Sequence, residues 1–189
     1  VLPRWDAETP DWLGHYFQQR LAMLDRGDEA RIITASREQF VGANFAVRLV
    51  VLEHLGGFNI ALGNRGDRVS GEEDTDLFDR LLTLGVRIVY APQAVVYHHV
   101  QQERMTKRYF RKWHFDHGVA AAHVVVYAGG RNLFGIPLWA IREFLVNLRA
   151  WAEGAIRSDP ERRLIAQMRL TYHLGFFAGC LGLAGTGVP

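Results

Sequence analysis

The chain has 189 residues, 49% of them hydrophobic and 22% charged, which suits one globular domain with a real core and is short for a second full domain. A formal net charge of +2 with a pI near 8.9 leaves room for anionic partners without marking a strongly basic protein. The single cysteine, Cys180, excludes an internal disulfide and any multi-cysteine zinc site.

The chain opens Val1-Leu2-Pro3-Arg4-Trp5 with no signal-peptide pattern and reads as a piece of something longer. No apolar run reaches the roughly 18 to 20 residues of a spanning helix. Pro3 to Pro10 reads as an irregular lead-in, after which Asp11 caps a predicted helix carrying Leu13, Phe17, Leu21 and Leu24 on one face and ending near Gly27. Arg31 to Thr34 and Gln39 to Val41 are short strand candidates, the second leading into a tight turn signalled by Gly42 and Asn44. Leu49 to Leu55 has helical character, ended by Gly56-Gly57 in the manner of a left-handed cap. Gly63-Asn64-Arg65-Gly66-Asp67 is a polar loop that lacks the Gly-Lys-Ser/Thr ending of a phosphate-cradling loop.

Ser70 and Glu73 have capping-box spacing, and Leu77, Leu81 and Leu84 recur at helical spacing until Gly85, so a helix is predicted over 71–84. Asp76, Asp79, Arg80 and Thr83 share its polar side. Asp74 lies one turn before Leu77 and Phe78, at the head of the apolar stripe, and is the carboxylate aimed inward. The positive end of a helix dipole favours an ionised acid there, and a charged, partly enclosed carboxylate is a usable general base. Acids also occupy first turns simply to complement the dipole, so Asp74 needs companions before the pattern means catalysis.

Val86 to Tyr90 and Ala94 to Tyr97 are β-rich runs, and the second delivers His98-His99 at its end. Neutral imidazole ligates Mn²⁺ and similar ions, but a strand-end histidine also serves as a hydrogen-bonded structural residue, and alternation prevents both from facing one site. From Glu103 a basic helix is predicted, with Arg104, Arg108 and Arg111 on one face and Tyr109 and Trp113 one turn apart. Such a surface suits a diphosphate, lipid headgroups or a nucleic-acid backbone; the plainer reading is a solvated basic helix. His114 and His117 have i, i+3 spacing without a partnering acid motif.

Ile136 to Ile156 is amphipathic, with Leu138, Ile141, Leu145, Leu148 and Ala152 on one side, Arg142, Arg149 and Glu153 elsewhere, and Trp139 and Trp151 as anchors. After a polar break at Ser158 to Arg163, Leu164 to Ala184 forms a second helix or helix pair. These elements could dock on a membrane surface, pack on the domain or pair with another chain. Residues 185–189 read as a frayed end.

Gly42 to Arg48, Leu55-Gly56-Gly57-Phe58, Gly71 to Leu77 and Ala91 to His98 follow in an order and spacing that resembles the C-terminal half of a family 2 glycosyltransferase, over roughly residues 40 to 118. The resemblance implies an α/β fold: the acceptor-side half of a GT-A-like mixed sheet with flanking helices over residues 1–130, followed by an amphipathic helical extension over 131–189. It implies inverting transfer of a sugar from a nucleotide-diphosphate sugar to an acceptor hydroxyl in cell-surface glycan or polysaccharide synthesis. The implied partners are the nucleotide-sugar donor and a glycan or lipid-linked acceptor, with no nucleic acid. The implied location is the cytoplasm, with peripheral contact on the inner face of the plasma membrane.

The family's acidic motif falls on Glu73-Asp74, which implies Asp74 as the base, with Glu73 beside it. Gly42 and Asn44 match the segment lining the sugar and acceptor end of the cleft. Arg108, Arg111 and Trp113 fall where relatives approach diphosphate or acceptor. A divalent metal, Mn²⁺ or Mg²⁺, is implied, with His98 as the histidine completing its shell and His99 the fallback. Its main holder, an Asp-x-Asp in the right strand context, does not occur before residue 40, and Asp74-Thr75-Asp76 falls in the acceptor-side motif instead. The chain therefore reads as the base-bearing half of an enzyme, inactive alone. The alternative is a non-catalytic membrane-surface or protein-interaction module that uses the basic aromatic helix and the C-terminal helices.

Overall fold

The computed structural model describes residues 1–60, 62, 73–125 and 131–183. The predicted loop over 63–67, the Ser70 cap and the chain end at 185–189 lie outside them. The protein is mixed α/β with small sheets and forms two compact units, one of residues 1–64 and 71–105, the other of 65–70 and 106–189. The compact units divide at Met105/Thr106, whereas the boundary that the resemblance implies lies at 130/131.

In the first unit, β1 (Leu2–Trp5) runs parallel to β4 (Tyr97–Val100), and β2 (Arg31–Ile33) pairs antiparallel with β3 (Ile88–Tyr90). Three strand expectations change. The segment read as a lead-in contains β1, and the run at Ala94–Tyr97 begins pairing only at Tyr97, where Leu2 lies opposite. The two histidines are therefore inside a strand. Gln39 to Val41 is not a strand. The long helix expected from Asp11 shortens to α1 (His15–Gln18) and one 3₁₀ turn, Gln19–Leu21, because Ala22 turns left-handed at φ 66° and ends it. Its apolar spacing still places Leu13, Phe17 and Leu21 in the core.

The acidic helix, α3 (Glu73–Thr83), buries Leu77, Phe78 and Leu81 and stops at Gly85, which has φ +71°. Its position is set by Arg80. The guanidinium bonds Asp76 one turn back (2.8 Å) and donates to the Leu55 and Gly57 carbonyls (2.9 Å each), capping the C-terminal end of α2 (Leu49–His54). Ser36 Oγ donates to Asp79 Oδ1 at 2.9 Å on the exposed side. Phe40 stacks on Phe45 (4.3 Å) and meets Phe78 edge-on (5.2 Å), so the segment carrying Gly42 and Asn44 is pinned to α3 by aromatic packing.

Among the described residues the second unit holds three helices, α4 (Lys107–Val125), α5 (Leu138–Ile156) and α6 (Pro160–Cys180), with a two-strand hairpin, β5 (Asn132–Leu133) and β6 (Ile136–Pro137), leading into α5. The basic helix begins later than predicted. Gln102–Met105 is a separate 3₁₀ turn and the Thr106 hydroxyl accepts the Tyr109 N–H at 3.1 Å, so Arg104 does not share a helix face with Arg108 and Arg111. Likewise Trp113 stacks on His117, at 3.7 Å between centroids. His114 and His117 are buried, each with Nδ1 bonded to the carbonyl four residues back, which is a structural use of both.

Glycines set how closely α4 and α6 approach. A Cβ on Gly118 would collide with the Tyr172 carbonyl, one on Gly175 with the Phe115 carbonyl, and one on Gly179 would lie 2.6 Å from the Ala122 Cβ. Gly154 lets α5 lie against the start of α6, where a Cβ would come within 2.9 Å of the Arg163 nitrogen. Asp159 caps α6 through the Arg162 N–H (2.9 Å), ahead of Pro160 in its first turn. The buried face of α5 consists of Ala140, Asn147 and Gly154, while its leucine side points outward.

Candidate functional site

Three stretches distant in sequence meet at the N-terminal end of α3. Asp74 Oδ2 accepts the Gly42 N–H at 2.8 Å, across 32 residues, and Oδ1 accepts the Thr75 N–H at 2.9 Å. Asn44 Nδ2 donates to the Ala94 carbonyl at 2.6 Å, across 50 residues. The 42–44 turn is thus tied on one side to the acidic helix and on the other to the segment after Pro92. A Cβ at Gly42 would lie 3.0 Å from Asp74 Oδ2, so a side chain there would press directly on the carboxylate.

Asp74 is half-buried. A carboxylate offers about four lone-pair sites. Two are taken by backbone N–H groups, so each oxygen keeps one for a hydroxyl or for a proton. Beside it, Glu73 Oε2 is buried and has no hydrogen-bond partner among the described residues. A buried acceptor without a donor is costly, and here it stands next to the carboxylate that the sequence singles out. A cavity of about 790 Å³ opens in the same unit, lined by Phe40, Asn44, Phe45, Phe78, Tyr90 and Ala94 among others. Asn44 and Ala94 belong to its wall and Asp74 does not, so the turn stands between the cavity and the carboxylate pair.

The histidines of β4 are each engaged. His98 is half-buried, with Nε2 3.2 Å from Arg104 Nη1; burial first, then the Arg104 and His99 charges, hold its pKa below the usual imidazole value. The guanidinium is a donor, so the neutral His98 ring accepts through Nε2. His99 points to the opposite face and pairs with Asp6, just past β1. Neither partner was legible in local sequence pattern: Arg104 lies six residues on in a 3₁₀ turn, and Asp6 reaches His99 only because β1 and β4 pair. Arg108 and Arg111 are exposed on α4 and Trp113 is half-buried there, all three in the helical unit.

Of the nitrogens of His98, the histidine implied as a ligand of the divalent metal, Nε2 lies 3.2 Å from Arg104 Nη1, and among the described residues no three His, Cys, Asp or Glu side chains gather into a shell.

Comparison with known proteins adds nothing to this geometry: no family model, no curated protein and no solved structure matches the chain.

Proposed function

We propose that the chain is the acceptor-side half of an inverting, GT-A-like glycosyltransferase that moves a sugar from a nucleotide diphosphate to a hydroxyl. One observation carries this reading: three of the four segments behind the resemblance, those at 42–48, 71–77 and 91–98, are joined by the hydrogen bonds Gly42–Asp74 and Asn44–Ala94. Asp74 is the base. Its carboxylate takes the acceptor proton as the oxygen attacks the anomeric carbon from the face opposite the departing diphosphate. Glu73 stands beside Asp74 as the second acid of the motif, with Oε2 buried and unpartnered among the described residues. Gly42 leaves room for Asp74 Oδ2, and Asn44 holds the turn. Arg108, Arg111 and Trp113 are the contacts proposed for diphosphate or acceptor. Neutralisation of the diphosphate falls to the nucleotide-binding half of the enzyme. The acceptor class is a glycan or lipid-linked glycan made at the inner face of the plasma membrane.

The test exploits the geometry of Asp74. Asn at this position keeps an oxygen for the Gly42 N–H but cannot take a proton, so Asp74→Asn separates fold from base. In the chain extended upstream through the nucleotide-binding half, transfer from UDP- and GDP-sugars is expected to fall by about 10²- to 10⁴-fold. Calorimetric binding of UDP or GDP is expected to stay unchanged. Unchanged transfer by Asp74→Asn refutes the assignment, and tight binding of UDP or GDP by residues 1–189 alone would refute the division of labour.

A further inference from the structure

α5 is apolar on two sides. Toward α6 it presents Ala140, Asn147 and Gly154 flanked by aromatic rings, Phe144 against His173 and Phe177 and Trp139 against Phe176, and Asn147 Nδ2 lies 3.4 Å from His173 Nε2 in the buried contact. Toward solvent it presents Leu138 (40% exposed), Leu145 (57%), Leu148 (42%) and Ile156 (83%). Leu138, Leu145 and Ala152 follow one another at seven-residue intervals, so they form one stripe along the helix. Arg142 and Arg149 stand beside it, each one turn after a leucine. A helix in water normally turns this apolar stripe to the core.

Just before α5, the β5–β6 hairpin adds a second apolar projection. Phe134 and Gly135 form its two-residue turn with φ 51° and 82°, the left-handed pair that favours Asn-Gly. A phenylalanine in that conformation is strained by about 1–2 kcal/mol, yet Phe134 is 85% exposed and Leu133 beside it 50%. Among the described residues the ring is not repaid by burial, which marks Phe134 as a candidate contact for something outside the chain.

The charge is divided to match. Residues 106–189 carry eleven Lys and Arg against five Asp and Glu, whereas residues 1–105 carry eleven against fifteen. A chain with a formal charge of only +2 therefore carries +6 over residues 106–189. No described helix is long and apolar enough to cross a membrane, so the fitting geometry is a helix lying in the interface. At 19 residues α5 offers about 28 Å of such a helix.

We infer that the outer face of α5 and the Phe134 tip dock the chain on an anionic phospholipid bilayer, with Leu138, Leu145, Leu148, Ile156 and Phe134 entering the acyl boundary and Arg142 and Arg149 meeting the headgroups. The inference rests on residues of the helical unit alone and stands or falls separately from the base assignment at Asp74.

The test is flotation of the 189-residue protein with vesicles of phosphatidylcholine, alone or with about one-third phosphatidylserine. Three proteins are compared with wild type. Phe134→Asn puts the residue preferred by the turn in place of the ring and so removes the apolar tip without harming the fold. Leu145→Glu/Ile156→Glu breaks the exposed stripe. Val50→Glu, at a 68% exposed position on α2, is the control. Wild type and Val50→Glu are expected to float with the anionic vesicles only. Partitioning is expected to drop at least about tenfold for each of the other two, from the apolar area withdrawn. Raising salt from about 0.1 M to about 1 M, which shortens the Debye length from ~10 Å to ~3 Å, is expected to weaken it. Absence of flotation, or flotation indifferent to both face variants, overturns the inference. So does sedimentation showing a dimer that Leu145→Glu/Ile156→Glu dissociates, because the face then belongs to a second copy of the chain.

Discussion

Gly175→Ala offers the sharpest test of how the helical unit is held. An unobstructed glycine in a helix gains about 1 kcal/mol on replacement by alanine, because the unfolded chain loses freedom and the helix does not. At Gly175 the added methyl meets the Phe115 carbonyl and lies 3.0 Å from the Phe115 Cα, both backbone atoms of α4 that no rotamer change can move. Overpacking of a tight contact costs about 1–3 kcal/mol, and a backbone obstruction places this case at about 3. The net is a loss of about 2 kcal/mol, or on the order of 10 °C in melting temperature for a unit of this size. Gly118→Ala meets the Tyr172 carbonyl across the same crossing and is expected to behave alike. Once either methyl has spread the helices the other fits more easily, so the double variant should cost less than the two losses added together, by about 1 kcal/mol. Urea and thermal unfolding followed by far-ultraviolet circular dichroism read all three. A rise in melting temperature for Gly175→Ala, the sign of an unobstructed helical glycine, would refute the close crossing of α4 and α6.

The remaining predictions concern the same unit. Asp159→Ala removes the acceptor of the Arg162 N–H at the start of α6 and should lower stability by about 1 kcal/mol, while Asp159→Asn keeps most of it; an equal loss for both, by urea midpoint, would show that the cap acts through its charge. His173 is 6% exposed, and burial lowers its pKa below the ordinary 6.5 despite the smaller opposing influence of Glu143. The unfolded chain then binds the extra proton below that value, so stability falls as pH drops from about 7 toward 5, with a slope of at most about 1.4 kcal/mol per pH unit from this group. Replacing His173 by Gln should flatten the slope, and a profile that the substitution does not alter would refute burial of the neutral ring.

What could be read in advance was whatever depends on near neighbours in sequence. Leu77, Phe78 and Leu81 recur at helical spacing and are buried, and Asp74 at the head of that stripe turns inward to meet Gly42. The parallel pairing of β1 with β4 depends on residues almost the whole first unit apart, and no local pattern moves the second strand from Ala94–Tyr97 to Tyr97–Val100 or finds Asp6 for His99. The helical unit fails differently. Hydrophobic periodicity identifies an apolar side of α5 correctly but says nothing about which side packs, since α5 meets α6 through Ala140, Asn147 and Gly154, residues of little hydrophobic weight, together with the Phe144 and Trp139 rings. Small residues admit a backbone that leucines would hold off, and dispersion over a close backbone contact then competes with burial of a leucine stripe. At Gly42 the same property serves the candidate site, because the missing Cβ is what lets the turn come within hydrogen-bond distance of Asp74. Glycine positions therefore carry information that composition and periodicity discard, and they become readable only when the opposing backbone is known.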